Sequence, residues 1–488
     1  MVKFLLAKLK SNFLIPAGLM LLYLLLPTVN SGIDGYAYAS AIKWGHEMVW
    51  PHHLLYVPFG RLVFLVIPFI QPLVLMKVVN ALAAGISLFI FQRILKELQI
   101  NYTYYFVLFV GSCFGMMRYA TENETYILPL LCSLLGILYF IKNLKLQKNG
   151  YLIVSGLWFG VGVLFHQIHG FWYLGFAIPL VANFNFKKAF VFLASGGTLV
   201  ISVYLIAYNY SKPSTGILQF VLHNVYAGQV NTSVGVNNFI MTPISFIRTF
   251  IQVHGYIKPL LMANPILFVL PIAFLIIDFV SIKTIIKYST KQVSEFGLVS
   301  KAVFWAFVLQ FCFAFYSVGN AEFMVMLPVL IILWLVLNFD IPTKPVFYIS
   351  LMLLFWNVVF GLSPAHFLDL DGSKQLMAKM EKYPNAKWIV DEPQKLANML
   401  DYNNGPKTSI GKIYKPLENT SLQFNLVKNL ANQDILTNCI GGTSLVGRKE
   451  LLSTFHEMYY QLGIFNQTTI DSIEFFGGKS LITKLSVK

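Results

Sequence analysis

Long apolar runs broken by short polar connections fill the first three quarters of the chain. They lie at residues 13–28, 73–91, 104–117, 126–141, 152–165, 171–182, 189–208, 260–280, 302–318, 323–339 and 345–361. A helix needs roughly 20 mostly apolar residues to cross a bilayer, so the pattern predicts about eleven membrane-spanning helices. Several runs are shorter than a full crossing, which puts their polar flanks at the interface or in a protein-lined cavity. The first run follows Lys3, Lys8 and Lys10 without a small-x-small cleavage signal and reads as a retained helix.

From about residue 362 the pattern changes. Asp369, Asp371, Glu381, Asp391 and Glu392 follow in quick succession, and Asn403-Asn404-Gly405-Pro406 signals a turn. Residues 362–488 are expected to form a small soluble α/β module, with strands at 387–390 and 409–414 and helices at 434–436 and 449–462. Within the membrane half (1–361), the connection 211–258 is long and polar, with a flexible stretch at 229–238. That is the length of a lid or substrate-binding loop.

Composition fixes the class. Of 488 residues, 57% are hydrophobic and only 12% charged, with a mean hydropathy of +0.65. These are too few charges to cover a soluble globule, so the chain is read as an integral membrane protein. The four cysteines have no metal-ligand spacing and suggest neither disulfide nor metal.

The net charge of +15 follows from topology and does not call for a nucleic-acid partner, because short loops rich in Lys and Arg stay in the cytoplasm. One set of connections carries clusters such as Arg93/Lys96, Lys142/Lys145/Lys148 and Lys187/Lys188. The opposite set carries Lys43, Arg61, Lys77, Arg118, Lys212, Arg248 and Lys258 over much longer loops. The second set is expected to face outward, together with the 362–488 module, in a bacterial inner or plasma membrane. This solution requires that 53–68, despite its apolarity, lie along the outer surface as an amphipathic helix within the first outward loop (30–72). All nine histidines and the acids Asp34, Glu47, Glu122, Glu124 and Glu322 then fall on the outer side.

Four polar clusters meet at that face. They are the first loop, with Asp34-Gly35-Tyr36 and Pro51-His52-His53-Leu54-Leu55-Tyr56; the stretch Arg118 to Glu124; His166-Gln167-Ile168-His169; and Gly319-Asn320-Ala321-Glu322. Any one of these alone is more often a solvated loop or a structural ion pair. Four together point to a site, because ionisable groups at a bilayer boundary are costly.

The order and type of residues in the first loop resemble the GT-C class of polyprenyl-phosphate-sugar-dependent glycosyltransferases, particularly the protein O-mannosyltransferase and lipid A aminoarabinose transferase branch. There a first-loop carboxylate precedes a His-Pro-Pro-Leu-type stretch leading into an interfacial helix. Here Asp34 precedes Pro51 to Tyr56 and Gly60-Arg61, with Gly35 where that branch has a second acidic residue. The resemblance implies a GT-C-like α-helical polytopic fold and an enzyme that moves a hexosyl or pentosyl group, with inversion, from a polyprenyl-phosphate donor to a hydroxyl of a lipid, glycan or protein acceptor. It implies Asp34 as general base.

Chemistry then suggests partners for the base. A leaving phosphate needs positive charge or hydrogen-bond donors, for which Arg118, His169, His166, Arg61 and Lys258 are the outward candidates. Arg118 is equally well read as a structural partner of Glu122, four residues on. Glu122, Glu124 and Glu322 are candidates for sugar or acceptor hydroxyls, with Glu47, His52 and His53 beside them. Adjacent histidines point to different faces of a helix and rarely share an ion, so no metal site is assigned, though room is left for a divalent cation. Membrane lipids are the remaining partners. The alternatives are a lipid or glycan transporter or flippase, which should show internal repeats and polar residues near mid-span, and a non-catalytic membrane scaffold.

Overall fold

The apolar runs are helices. A computed structural model describes residues 13–223, 234–253, 257–292, 294–416, 420–430, 432–439, 442–444 and 465–487. The first half contains α1 (Leu14–Leu25), α2 (Ile33–Trp44), α3 (Tyr56–Val66), α4 (Pro72–Glu97), α5 (Thr103–Ser112), α6 (Phe114–Ala120), α7 (Ile127–Leu146), α8 (Asn149–Phe165), α9 (Gly170–Ala182) and α10 (Phe186–Ser211). Then follow α11 (Ile217–Val221), α12 (Val236–Phe250), α13 (Ile257–Ala263), α14 (Val269–Tyr288), α15 (Gly297–Tyr316), α16 (Leu327–Asn338), α17 (Thr343–Asn357) and α18 (Ser363–Phe367). Each of the predicted runs is helical, with 104–117 broken at Cys113 between α5 and α6 and 260–280 broken at Asn264 between α13 and the turn that leads into α14. Among the described residues, seven helical segments are long and apolar enough to cross a membrane. The runs in α1, α5, α8 and α9 are helices of 12, 10, 17 and 13 residues, shorter than a full crossing.

Backbone contact tightens the bundle where α8 meets α10. Gly156, Gly160 and Gly196 face one another, and a Cβ on Gly156 would run into the Phe192 carbonyl oxygen and Ser195 Oγ. Small residues four apart let two membrane helices approach this closely.

The two ends of the bundle differ in chemistry. Near the start of α4, Lys77 Nζ donates to the Thr28 carbonyl at 2.8 Å. Near its other end, about 30 Å along the helix from Lys77, Glu97 pairs with Arg93 and Lys145, each at 2.8 Å. α3 has 11 residues, too few to span. It buries Tyr56, Val57 and Gly60 and exposes Leu62, Leu65 and Val66, the profile of a helix lying in an apolar boundary.

The connection 211–258 is more ordered than its polarity predicts. Residues 236–238, placed in the flexible stretch, begin α12, while 229–233 lie outside the described residues. α12 is amphipathic in the inverted sense: Asn238, Thr242, Ser245 and Thr249 are buried, while Phe239, Ile240, Ile244 and Ile247 are exposed. The hydrophilic residues that suggested a loop are the face packed against protein.

A two-stranded pair, β1 (Thr290–Lys291) with β2 (Phe339–Asp340), joins two inter-helix connections. The C-terminal module runs α19 (Ser373–Lys382), β3 (Lys387–Ile389), α20 (Pro393–Asn404), β4 (Ile413–Tyr414), α21 (Thr420–Asn429), β5 (Ile435–Thr437), β6 (Gly442–Ser444), β7 (Phe465–Phe475) and β8 (Gly478–Val487). Its sheet has the order β4-β3-β5-β8-β6, with β7 also on β8. β3 is parallel to β4 and β5, and the remaining pairs are antiparallel. Residues 435–437 are therefore a strand, not the helix expected at 434–436, because a short wholly buried apolar run has no period to distinguish the two. Only the last two residues of 409–414 are a strand, and 449–462 lie outside the described residues. The module's core, around Trp388, Leu396, Leu436 and Ile482, takes in Tyr36 and Ala39 of α2.

Candidate active site

Asparagines assemble the acidic loop. Asn80 on α4 is fully buried and its Nδ2 donates to the carbonyls of Glu122 (2.7 Å) and Glu124 (2.8 Å). Asn123 Nδ2 donates to the Gly35 carbonyl at 2.7 Å, and Tyr56 Oη donates to Asn123 Oδ1 at 2.7 Å. Two of the polar clusters, the first loop at both of its ends and the stretch Arg118 to Glu124, are thereby fastened to each other and to α4. Gly35 makes this possible, since a Cβ there would lie 3.2 Å from the Asn123 carbonyl oxygen and 3.5 Å from Glu122 Oε1. The position that bears a second acid in the resembling branch is here a close-packing point.

Asp34 stands in the first turn of α2. Its side chain reaches solvent, yet surrounding protein removes part of its hydration, and this together with the nearby Glu322 charge raises its pKa above the ordinary carboxylate value. Glu124 is raised well above that range, by burial first and then by Asp34, Glu322 and Glu122. Glu322, in the turn Ala321–Met324 that precedes α16, accepts a hydrogen bond from Tyr126 Oη at 2.9 Å. Asp34, Glu124 and Glu322 are thus electrostatic neighbours, and the ion pairs within 4 Å among the described residues lie elsewhere.

Beside them opens a recess of about 310 Å³. Thr28, Asn30, Thr121 and Glu122 form one wall, Phe114 and Arg118 of α6 another, and Arg248 and Gln252 a third; Leu370 and Asp371 come from the C-terminal segment. Arg118 and Arg248 also line a smaller adjoining cavity with Thr249 and Val325. Arg118 feels the charges of Glu322, Glu122 and Glu124, and so connects the recess to the acidic group. The expected Arg118–Glu122 ion pair is not formed: Glu122 Oε1 accepts from the Asn123 backbone N–H at 3.0 Å, and Arg118 lies beside the Tyr119 ring. Arg248 Nε is buried without a protein partner.

Other expected site residues do not join this arrangement. Arg61 donates to the carbonyls of Ile42 (2.7 Å) and Lys43 (2.9 Å), closing the far end of α2, on the order of 13 Å along the helix from Asp34. Glu47 is exposed beyond that same end, its carbonyl accepting from Trp50 Nε1. Lys258 is exposed on α13 and lines neither cavity.

His53, His166 and His169 are buried and His52 is half-buried, and the pKa of each is lowered. His169 is fully buried with Nδ1 against Ser133 Oγ at 2.7 Å, and burial pushes its pKa down to about 3. His166 and His53 are driven well below the ordinary value by burial and by their neighbouring imidazoles, and His52 to about 4 by burial and His223. A neutral imidazole offers a phosphate one N–H donor and no positive charge, so of the two contributions expected of His166 and His169 the hydrogen bond is the one available. His52 and His53 lie in a turn, not on a helix, with ring centroids 4.1 Å apart and His53 4.3 Å from His166. They stack directly before α3. Among the described residues, no three His, Cys, Asp or Glu groups are placed to hold a metal ion.

Arg248, Asp371 and the asparagines 30, 80 and 123 were not singled out from sequence. Arg248 follows buried Thr242 and Ser245 at helical spacing, a polar stripe that periodicity alone can reveal. Asp371 lies 49 residues from Glu322 and 123 from Arg248 along the chain, beyond the last membrane helix, and carries no local signal.

No family model matches the chain, and no curated protein matches it. Among solved structures, it is similar to ArnT from Cupriavidus metallidurans bound to undecaprenyl phosphate, with a TM-score of 0.48 and 10% identity, covering 98% of each chain. It is also similar to the Archaeoglobus fulgidus oligosaccharyltransferase in the apo form, with a TM-score of 0.46 and 10% identity, covering 96% of this chain and 74% of that one. Likeness at this level assigns neither a substrate nor a residue's role.

Proposed function

We propose that this chain is a membrane glycosyltransferase that moves a sugar from a polyprenyl-phosphate donor to an acceptor hydroxyl, with Asp34 as general base. The observation that carries the reading is a solvent-reaching, base-strengthened carboxylate, Asp34, linked through the charges of Glu322 and Glu124 to Arg118, which with Arg248 lines a polar recess.

In the proposed step the acceptor oxygen attacks the anomeric carbon, the carbon–oxygen bond to phosphate breaks, and its electron pair stays on the phosphate. The acceptor proton passes to the Asp34 carboxylate. A raised pKa makes Asp34 a stronger base, provided the pH keeps it ionised. Arg118 and Arg248 stabilise the charge growing on the leaving phosphate, which makes a second acid unnecessary. Glu122, Glu124 and Glu322 are offered as acceptors for sugar or acceptor hydroxyls. Attack opposite the leaving phosphate inverts the anomeric centre. Outward orientation of the site and of residues 362–488 remains part of the proposal.

The test is transfer or release of labelled sugar from polyprenyl-phosphate donors by the reconstituted protein. Asp34→Asn should abolish turnover with fold and expression intact; full activity in that variant would reject the base assignment.

A further inference from the structure

The C-terminal module grips the helix that carries Asp34. α20 packs along α2, and Tyr36 and Ala39 share one buried cluster with Leu396, Met399 and Tyr402. Polar contacts fix both ends of α2. At its start, Asn398 Nδ2 donates to the Ile33 carbonyl at 3.1 Å, one residue from Asp34. At its finish, Lys43 Nζ donates to the Tyr402 carbonyl at 3.0 Å, and Trp44 Nε1 to that of Asp401 at 3.1 Å.

A second fastening lies just before α2. Asn30 Nδ2 donates to the carbonyls of Ala365 and Leu368, both at 2.8 Å, and its Oδ1 accepts from the Leu370 N–H at 2.9 Å. One side chain thus joins the approach to Asp34 with the segment that brings Asp371 into the recess. Asp371 is in turn held at 2.5 Å by Lys395 of α20, so both fastenings end on the same helix of the module.

We infer that the C-terminal module positions Asp34 for transfer, with Asn398 and Asn30 as the positioning residues. The inference rests on the function proposed above. A general base must sit within about 3 Å of the proton it takes, and misplacement by about 1 Å costs up to ~100-fold in rate. A helix pinned at both ends by a folded module meets that tolerance, which a loop at a bilayer surface does not. Asn398 is suited to testing it because it lines neither cavity.

The experiment compares full-length wild type with Asn398→Ala, Asn398→Gln and Asn30→Ala. Two quantities are read: kcat and KM for labelled polyprenyl-phosphate sugar, and the pH profile of carbodiimide labelling at Asp34 by mass spectrometry. Asn398→Ala should lower kcat about 10- to 100-fold with donor KM within about twofold. Its Asp34 labelling midpoint should move down, as α2 loosens from Glu322. Asn398→Gln, which keeps the amide donor, should recover part of kcat; Asn30→Ala, whose side chain also lines the recess, should lower the Asp34 labelling midpoint as Asn398→Ala does, with donor KM free to change. Wild-type kcat and an unchanged labelling profile in Asn398→Ala would overturn the inference. Should Asp34→Asn leave transfer intact, the base reading fails, yet the labelling profile still decides whether the module positions Asp34.

Discussion

Removing one guanidinium from the recess should weaken donor binding by an amount that can be worked out in advance. A hydrogen bond to a charged group contributes about 1.5–3 kcal/mol, and an arginine offers phosphate two in parallel. Water recovers part of that loss, and the free protein gains from separating two like charges, since Arg118 and Arg248 line the same cavities. A net loss of about 2 kcal/mol follows for Arg118→Ala or Arg248→Ala, or roughly 30-fold in Kd. Undecaprenyl phosphate is the probe and thermal stabilisation the assay. Ligand at 100 times Kd stabilises wild type by about 2.7 kcal/mol, and the same concentration should stabilise either variant by only about 0.8 kcal/mol. Arg118→Lys should fall between, keeping the charge but losing the fork. Stabilisation of both alanine variants equal to wild type would refute a phosphate site between these residues.

Further outcomes follow from the same geometry. Transfer needs Asp34 ionised, and its pKa is raised from 3.8; kcat/KM should therefore fall, as pH drops, before an ordinary carboxylate would protonate, and a midpoint at or below 3.8 would contradict this. For Glu124 the folded-state pKa lies above the unfolded one, so the native state holds the extra proton and stability declines as pH rises from the ordinary 4.5 through the raised value. Glu124→Gln should thus raise Tm at pH 7 and lose that advantage below pH 4.5; a lower Tm at pH 7 would count against it. Gly156→Ala should destabilise the bundle by about 1–3 kcal/mol, as overpacking against the Phe192 carbonyl demands, which denaturation in detergent can measure. Arg61→Ala should cost about 1 kcal/mol through the lost end of α2 while leaving undecaprenyl phosphate binding unchanged; weakened binding would return Arg61 to the phosphate site.

Legibility in the sequence tracked locality. Each membrane helix is a local hydrophobic statement, so every run is readable from its residues, as is the short helix after His52-His53. Charge asymmetry was readable too, and it grouped Asp34, Glu122, Glu124 and Glu322 at one end of the bundle, where Tyr126 and Arg118 tie them together. Environment was not. His166 and His169 have the same identity whether buried and neutral or exposed and cationic, and only packing decides; Arg61 likewise can hold a phosphate or close a helix. Strand β5 was misread because three buried residues have no period. The β7–β8 hairpin, by contrast, had a signal that went unused, with Phe476-Gly477 separating two alternating runs.

The acidic group itself argues against a merely structural role. Burial first and neighbouring carboxylates second raise the pKa of this group, Asp34 through Glu322 and Glu124 through Asp34, Glu322 and Glu122, and each would be easier to fold as an amide or an alcohol. A scaffold gains nothing from that cost, and a structural network would pair the acids with the arginines a few residues away. Here Arg118 and Arg248 face a recess while Asp34, Glu124 and Glu322 remain without a Lys or Arg within 4 Å among the described residues. Without ion pairing between them, each group is free to meet a ligand of its own kind: phosphate for the guanidinium groups that line the recess, a hydroxyl proton for the Asp34 carboxylate. A transporter needs such groups along a path through the bilayer, whereas these are held at one end by Asn80, Asn123 and a folded module, where the reaction needs a fixed distance.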